Sequence, residues 1–200
     1  CQTERTPSMS PASDNTAVAR VGAARPSGLC ATGRRAWRYA RRTMPPTTSP
    51  LLPDSLLVAG ATGLIGQQLL AAFSSFSGSG PTRVHALARR PPAPHAARAA
   101  PFAEWHRVDF AHLPPLPRAA WAFCALGTTI AAAGSQQAFR AIDFDAVLAF
   151  AHAARAAGVT RLAVVSSLGA SPRSGNFYSR VKGEMEAAAA GCGFDSLVIV

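Results

Sequence analysis

From Leu56 onward, short apolar runs alternate with stretches in which apolar residues recur at three- and four-residue steps. That alternation predicts βαβ units and a parallel sheet. Leu56–Ala59 is the first predicted strand, and the run from Leu64 through Leu69 and Leu70 to Phe73 is a helix closed by the Ser/Gly cluster at 74–80. Arg83–Ala88 is the second strand and Trp105–Val108 a short third. The fourth, Trp121–Ala125, is wholly apolar and so expected near the sheet centre. A long helix is predicted on Phe139, Ile142, Ala146, Phe150 and Ala154, with Gly158 at its C-terminal cap. Leu162–Val165 follows as strand five, then an alanine-rich helix over Tyr178–Ala190 ended by Gly191. Ser196–Val200 begins a sixth strand at which the sheet is expected to be cut short.

Residues 1–53 lack this periodicity. Eight of the chain's 20 basic residues lie before Thr43 against only Glu4 and Asp14, and a Pro/Thr/Ser stretch runs from Met44 to Pro53. The expectation is a disordered Arg/Pro-rich tail, 1–53, ahead of a single folded domain, 54–200. Most of the net charge of +10 therefore belongs to the tail. Its composition suits a mitochondrial transit peptide or a nucleic-acid-binding arm, and equally translated upstream sequence with Met44 as the start.

The first strand runs directly into Gly60-Ala61-Thr62-Gly63-Leu64-Ile65-Gly66, three glycines at three-residue steps opening a helix. The first permits a tight turn, the second lets backbone approach a pyrophosphate, and the third lets helix and strand pack closely. The helix N-terminus offers unpaired N–H donors to the phosphates. The fold class is thus α/β, a Rossmann-type doubly wound parallel sheet that binds a dinucleotide. At the end of the second strand an acidic residue would favour NAD by bonding the ribose hydroxyl; Arg89 and Arg90 stand there instead and suit the 2′-phosphate of NADP.

Lys182 is the only lysine in the chain, four residues after Tyr178, the only tyrosine outside the tail. One helical turn apart, the two would present a phenol and an ammonium to the same space. A phenol is a poor proton donor or acceptor at neutral pH until a nearby cation stabilises its phenolate, and a compact ammonium does that where a planar guanidinium would not.

In chain order, the glycine loop, Arg89-Arg90, Val108-Asp109-Phe110, 123–129 (FCALGTT), 164–170 (VVSSLGA) and 176–184 (NFYSRVKGE) resemble an atypical short-chain dehydrogenase/reductase. The similarity is to the NAD(P)H-binding group that includes the HIV Tat-interacting oxidoreductase and its bacterial relatives, and it covers about residues 55–200. The resemblance implies that Asp109 bonds the adenine and that Ala125, Leu126, Gly127 and Thr128 line the cofactor. It implies Tyr178 as proton donor or acceptor, Lys182 on the nicotinamide ribose, and Ser167 or Ser166 on the substrate carbonyl. Spacing does not choose between the serines. Many relatives carry asparagine where this chain has Asp143, and they continue beyond strand six into a region that shapes the substrate pocket.

The chemistry so read is an NADP(H)-dependent oxidoreductase for a small carbonyl or alcohol; the alternative is a non-catalytic NADPH-sensing or interaction module on the same fold. Four cysteines, Cys1 and Cys30 among them in the tail, form no disulfide framework or metal pattern, and Cys124 and Cys192 read as small buried apolar residues. Histidines 85, 95, 106, 112 and 152 show no ligand spacing, so no metal is expected. The uncharged stretch from Ala119 to Gln137 is broken by Gly127, Thr128, Thr129, Gly134 and Ser135 and falls short of a membrane span. A cytoplasmic protein is expected, with a small-molecule substrate and a homodimer as its partners, and without membrane or nucleic acid.

Overall fold

The computed structural model describes residues 53–75, 81 and 83–200, so the expectations for the tail up to Leu52 and for the 76–80 cluster lie outside the described residues. Six strands form one sheet in the order β3-β2-β1-β4-β5-β6. They are β1 (Ser55–Ala59), β2 (Arg83–Ala88), β3 (Ala103–Arg107), β4 (Trp121–Cys124), β5 (Arg161–Val164) and β6 (Ser196–Ile199), and every neighbouring pair is parallel. The sheet is the predicted Rossmann-type one. β4 lies between β1 and β5, as its unbroken apolar character requires.

Two apolar layers sandwich the sheet because strand residues alternate faces. On one side Leu56, Val58, Val84 and Ala86 meet Leu70 and Phe73 of α1 (Leu64–Ser74), with the Phe73 ring edge-on to Phe123 at 5.5 Å. On the other, Leu57, Ala59, Ala122, Cys124, Leu162 and Val164 meet α5 (Val147–Ala156) and α6 (Phe177–Ala190). Leu56, Leu57 and Val58 are wholly inaccessible. Each such side chain contributes roughly 1.5–3 kcal/mol relative to exposure.

Strand ends shift by a residue or two from the sequence reading, β3 most, since Ala103 and Glu104 pair with Val84 and His85 of β2. A short helix, α2 (Pro94–Ala99), follows β2 where none is expected. The long helix before β5 is built from pieces. α3 (Ile130–Ala133) and α4 (Gln136–Arg140) are separated by Gly134 and capped by the Thr129 and Ser135 hydroxyls, which accept from Ala132 and Ala138 N–H groups at 3.1 and 3.0 Å. Between α4 and α5 the chain makes a π-helical turn over Ala141–Ala146. Its wider winding carries the buried stripe from Phe139 to Asp143, Val147 and Phe150, where the sequence periodicity has Ile142 and Ala146. Gly158 caps α5 as expected: Val159 N–H bonds Ala154 O at 3.0 Å and Gly158 N–H bonds Arg155 O at 3.1 Å.

Helix α6 begins at Asn176, whose side-chain oxygen accepts from Ser179 N–H at 3.2 Å. Its position rests on Gly183. A Cβ there would stand 2.2 Å from the Ser171 carbonyl carbon and 2.4 Å from Pro172 N. On helix propensity alone Gly183→Ala would stabilise by about 1 kcal/mol. Here the obstacle is backbone, so the sign reverses: we expect a loss of about 1–3 kcal/mol in denaturant unfolding, with α6 and its side chains displaced. An unchanged or raised midpoint would show that the 171–172 loop yields freely.

Candidate active site

Between β1 and β4 the sheet order changes direction, and a crevice opens beyond the carboxyl ends of these strands, the usual ligand position in such sheets. A cleft of about 420 Å³ lies there, within the ~300–1,000 Å³ typical of small-molecule sites. Of the residues predicted to hold a cofactor, Gly60, Thr62, Gly63, Arg89, Arg90, Asp109, Ala125, Leu126 and Gly127 line it. Ala61 is buried in the core, and Leu64 and Ile65 are exposed on the first turn of α1.

Backbone proximity shapes the floor of the cleft. Gly60 has φ +77°, and a Cβ there would lie 2.6 Å from Ala125 O; one on Gly66 would lie 2.2 Å from Gly60 O. The loop after β1 therefore touches both the loop after β4 and the first turn of α1 with no room for side chains. Gly63 N–H bonds Gly60 O at 2.9 Å, and Gln67 Nε2 donates to Thr62 O at 2.8 Å. The N-terminus of α1 is thereby held at the cleft, where its free N–H groups and positive dipole end suit a pyrophosphate. These glycines fit a dinucleotide cradle.

On the opposite wall, Arg89 and Arg90 are exposed at the end of β2. Asp109 follows β3, and its carboxylate accepts from Ala111 N–H at 3.0 Å and from His112 Nδ1 at 3.3 Å. Those bonds, the backbone one foremost, hold the carboxyl below its ordinary range and keep it ionised.

Beneath the cleft lies a charge pair that sequence reading leaves unmatched. Lys182 Nζ stands 2.7 Å from Asp143 Oδ1, with the two side chains 4% and 0% exposed. Asp143 Oδ2 accepts the Thr128 N–H at 2.9 Å, so one carboxylate ties α6 to the loop after β4. A Cβ on Gly127 would come within 3.4 Å of Asp143 Oδ1 and 3.7 Å of Lys182 Nζ. Gly127, which lines the cleft, therefore lies directly against the pair. Sequence periodicity places Ile142 and not Asp143 on the buried stripe, so the only signal at Asp143 was that it replaces the asparagine of the resembling family.

Tyr178, one turn before Lys182 on α6, is half-buried with its ring 5.2 Å from that of Phe139. The two candidate serines differ. Ser166 Oγ donates to Glu186 Oε1 at 2.5 Å, whereas Ser167 Oγ is buried and has no hydrogen-bond partner among the described residues. An orphaned buried hydroxyl is costly unless something binds it. Cys124 lies under the loop after β4; burial pushes its thiol up to about 12, so it is no nucleophile, as its reading as a core residue requires. Cys192 is only half-buried.

Comparison with known proteins places this cleft in a family. The model of the NAD dependent epimerase/dehydratase family matches residues 56–182. Among curated proteins, the chain is 34% identical over 156 residues to "Protein fmp52, mitochondrial" of Emericella nidulans, covering 73% of this chain and 64% of that protein. It is 35% identical over 133 residues to "Protein FMP52, mitochondrial" of Candida glabrata, covering 66% and 56%. The chain thus spans about three fifths of the length of these relatives. Among solved structures, MoeE5 in complex with UDP-glucose and NAD superposes with a TM-score of 0.58 at 22% identity, covering 72% of this chain and 52% of that one. The nucleoside-diphosphate-sugar epimerase from Agrobacterium tumefaciens gives 0.56 at 16%, covering 80% and 55%. These likenesses confirm the fold.

One sequence expectation is overturned. A cytoplasmic location was expected from the lack of disulfide and membrane signals, but the curated relatives are named as mitochondrial proteins. Those signals report redox state and spanning segments, which a soluble organelle protein and a cytoplasmic one share. Among the described residues no helix is long and apolar enough to cross a membrane. With its glycine cradle at the β1/β4 crevice and a family match that runs from the first strand to Lys182, the chain belongs to the NAD-dependent epimerase/dehydratase family.

Proposed function

We propose that the protein is a mitochondrial NADP(H)-dependent oxidoreductase of the atypical short-chain dehydrogenase/reductase type, acting on a small carbonyl or alcohol. The observation that carries this reading is the buried Lys182 ammonium, held by Asp143 one glycine away from the cleft and one turn from Tyr178. A lysine buried this deeply in an otherwise arginine-only chain is a costly feature. It is well suited to a task that needs a compact cation beside a phenol and a ribose.

Bound in the cleft, NADP(H) would supply or accept the hydride. The chain's own residues do the rest. The 60–66 loop and the α1 N-terminus hold the pyrophosphate, Arg89 and Arg90 hold the 2′-phosphate, and Asp109 takes the adenine. Ala125 to Thr128 form the wall. Tyr178 gives a proton to the substrate oxygen or takes one from it, Lys182 favours the phenolate, and Ser167 bonds that same oxygen. Ser167 is preferred to Ser166 because its hydroxyl lacks a partner while that of Ser166 is engaged by Glu186. The Arg-rich, acid-poor composition of residues 1–43 and the names of the curated relatives support the mitochondrial location.

The test uses full-length protein, with both cofactors titrated and a panel of aldehydes, ketones and alcohols followed by NADPH absorbance. NADPH should bind ~10–100-fold more tightly than NADH, because two guanidiniums add charge-assisted bonds to one phosphate. Arg89→Ala/Arg90→Ala should erase that preference. Equal affinities in the unaltered protein would remove the NADP assignment, and tight NADPH binding with no turnover across the panel would favour a sensor over an enzyme.

A further inference from the structure

At the β3 edge of the sheet, strands β2 and β3 bring together three side chains that sequence spacing leaves apart. In the parallel register His85 pairs with Glu104 and Leu87 with His106, so His85, Glu104 and His106 share one face of the sheet edge. His85 Nδ1 stands 3.0 Å from His106 Nε2. The Glu104 carboxylate reaches both rings, with Oε2 at 3.3 Å from His85 Nδ1 and Oε1 at 3.5 Å from His106 Nε2.

These three separations have a meaning beyond hydrogen bonding. Ligand atoms about 2.0–2.1 Å from a tetrahedral zinc lie roughly 3.3–3.4 Å from one another. The separation between the rings and those from each ring to its own Glu104 oxygen all fall near that value, so one ion has both imidazoles and the carboxylate within reach. Exposure supports the same reading: the side chain of His85 is 8% exposed, that of His106 26% and that of Glu104 65%. An ion there would be anchored from within and open to solvent on the outer side.

We propose that His85 Nδ1, His106 Nε2 and the Glu104 carboxylate form a mononuclear site for a first-row divalent transition metal of the zinc type, completed by solvent. Two imidazoles and a carboxylate suit zinc or cobalt, whereas magnesium and calcium demand oxygen ligands throughout. The site joins the edge strand β3 to β2, and both strands run on into the Arg89, Arg90 and Asp109 side of the cleft. An ion bound there clamps the frame of that wall. Arg83, on the same face of β2, is a positive charge near the site whose sign opposes binding.

The experiment strips the full chain with a chelator and titrates it with Co²⁺ or Zn²⁺ alone. The expected result is one equivalent of Co²⁺ bound with ligand-field bands of nitrogen and oxygen coordination, without the thiolate-to-cobalt charge transfer that cysteine would give. Glu104→Gln/His106→Asn leaves the buried His85 in place and alters only partly exposed side chains. It should lower affinity by more than the ~10–100-fold that losing a supporting partner costs. Zinc at a hundred times its Kd should raise the melting temperature by about 5–10 °C in the unaltered protein and not in the double variant. Absence of one-to-one binding, a thiolate band, or unchanged affinity in the double variant would each overturn the proposal.

Discussion

Turnover of the Tyr178→Phe protein is expected to fall by ~10²–10⁴-fold, the usual contribution of positioned proton transfer, while NADPH affinity stays close to that of the unaltered protein. The substitution removes one oxygen and keeps the ring against Phe139, whose side chain is wholly buried. Packing is therefore preserved, and the loss should appear in kcat with little change in KM. Lys182→Arg should also fail despite its charge. The Lys182 side chain is 4% exposed, and its ammonium sits against Gly127 and Asp143, so a longer planar fork overfills the space as well as misplacing the charge. Full activity in Tyr178→Phe would move the acid/base role to another residue. Full activity in Lys182→Arg would show that only the sign of the charge matters.

How far the sequence led depends on the range over which each feature is encoded. Strands β1, β2, β4 and β5 were legible because each is a compact apolar run, and the glycine loop because strand, turn and helix are contiguous. Tyr178 and Lys182 were legible as one-turn neighbours. Asp143 was visible only as a departure from a resembling family. Its partner is 39 positions away in the numbering, and the π-helical turn that rotates it into the core breaks the periodicity from which its burial could be read. The His85, Glu104 and His106 cluster depends on the pairing of β2 with β3, a register that no local pattern states. α2 was missed because Pro94–Ala99 offers a single buried residue, Ala96, and so no apolar stripe. The difference between Ser166 and Ser167 likewise depends on Glu186 of α6, which engages the first of them.

Asp143 gives the largest expected effect on stability. Its carboxylate is wholly inaccessible, pairs with Lys182 and accepts the Thr128 N–H. Asp143→Ala deletes both interactions and leaves a buried ammonium without a counter-charge, a change that typically costs about 3–5 kcal/mol. For a folded region of this size that corresponds to a fall in melting temperature of roughly 10 °C. Asp143→Asn keeps a single acceptor oxygen, which serves the Thr128 N–H or Lys182 but not both because its NH2 faces the other donor, so it should retain only part of what Asp143→Ala loses. The informative comparison adds Lys182→Met. If the penalty comes from the stranded charge, Asp143→Ala/Lys182→Met should be more stable than Asp143→Ala alone, since removing both members of a buried pair is far less costly than removing one. Cofactor binding separates stability from function in the same series. The double variant should hold the loop at Thr128 less well and lacks the ammonium proposed to bind the ribose, so its NADPH affinity should stay low even as its stability recovers. Recovery of both would mean that the pair serves the fold alone; recovery of neither would mean that the Thr128 bond, and not the ion pair, is what Asp143 is there to make.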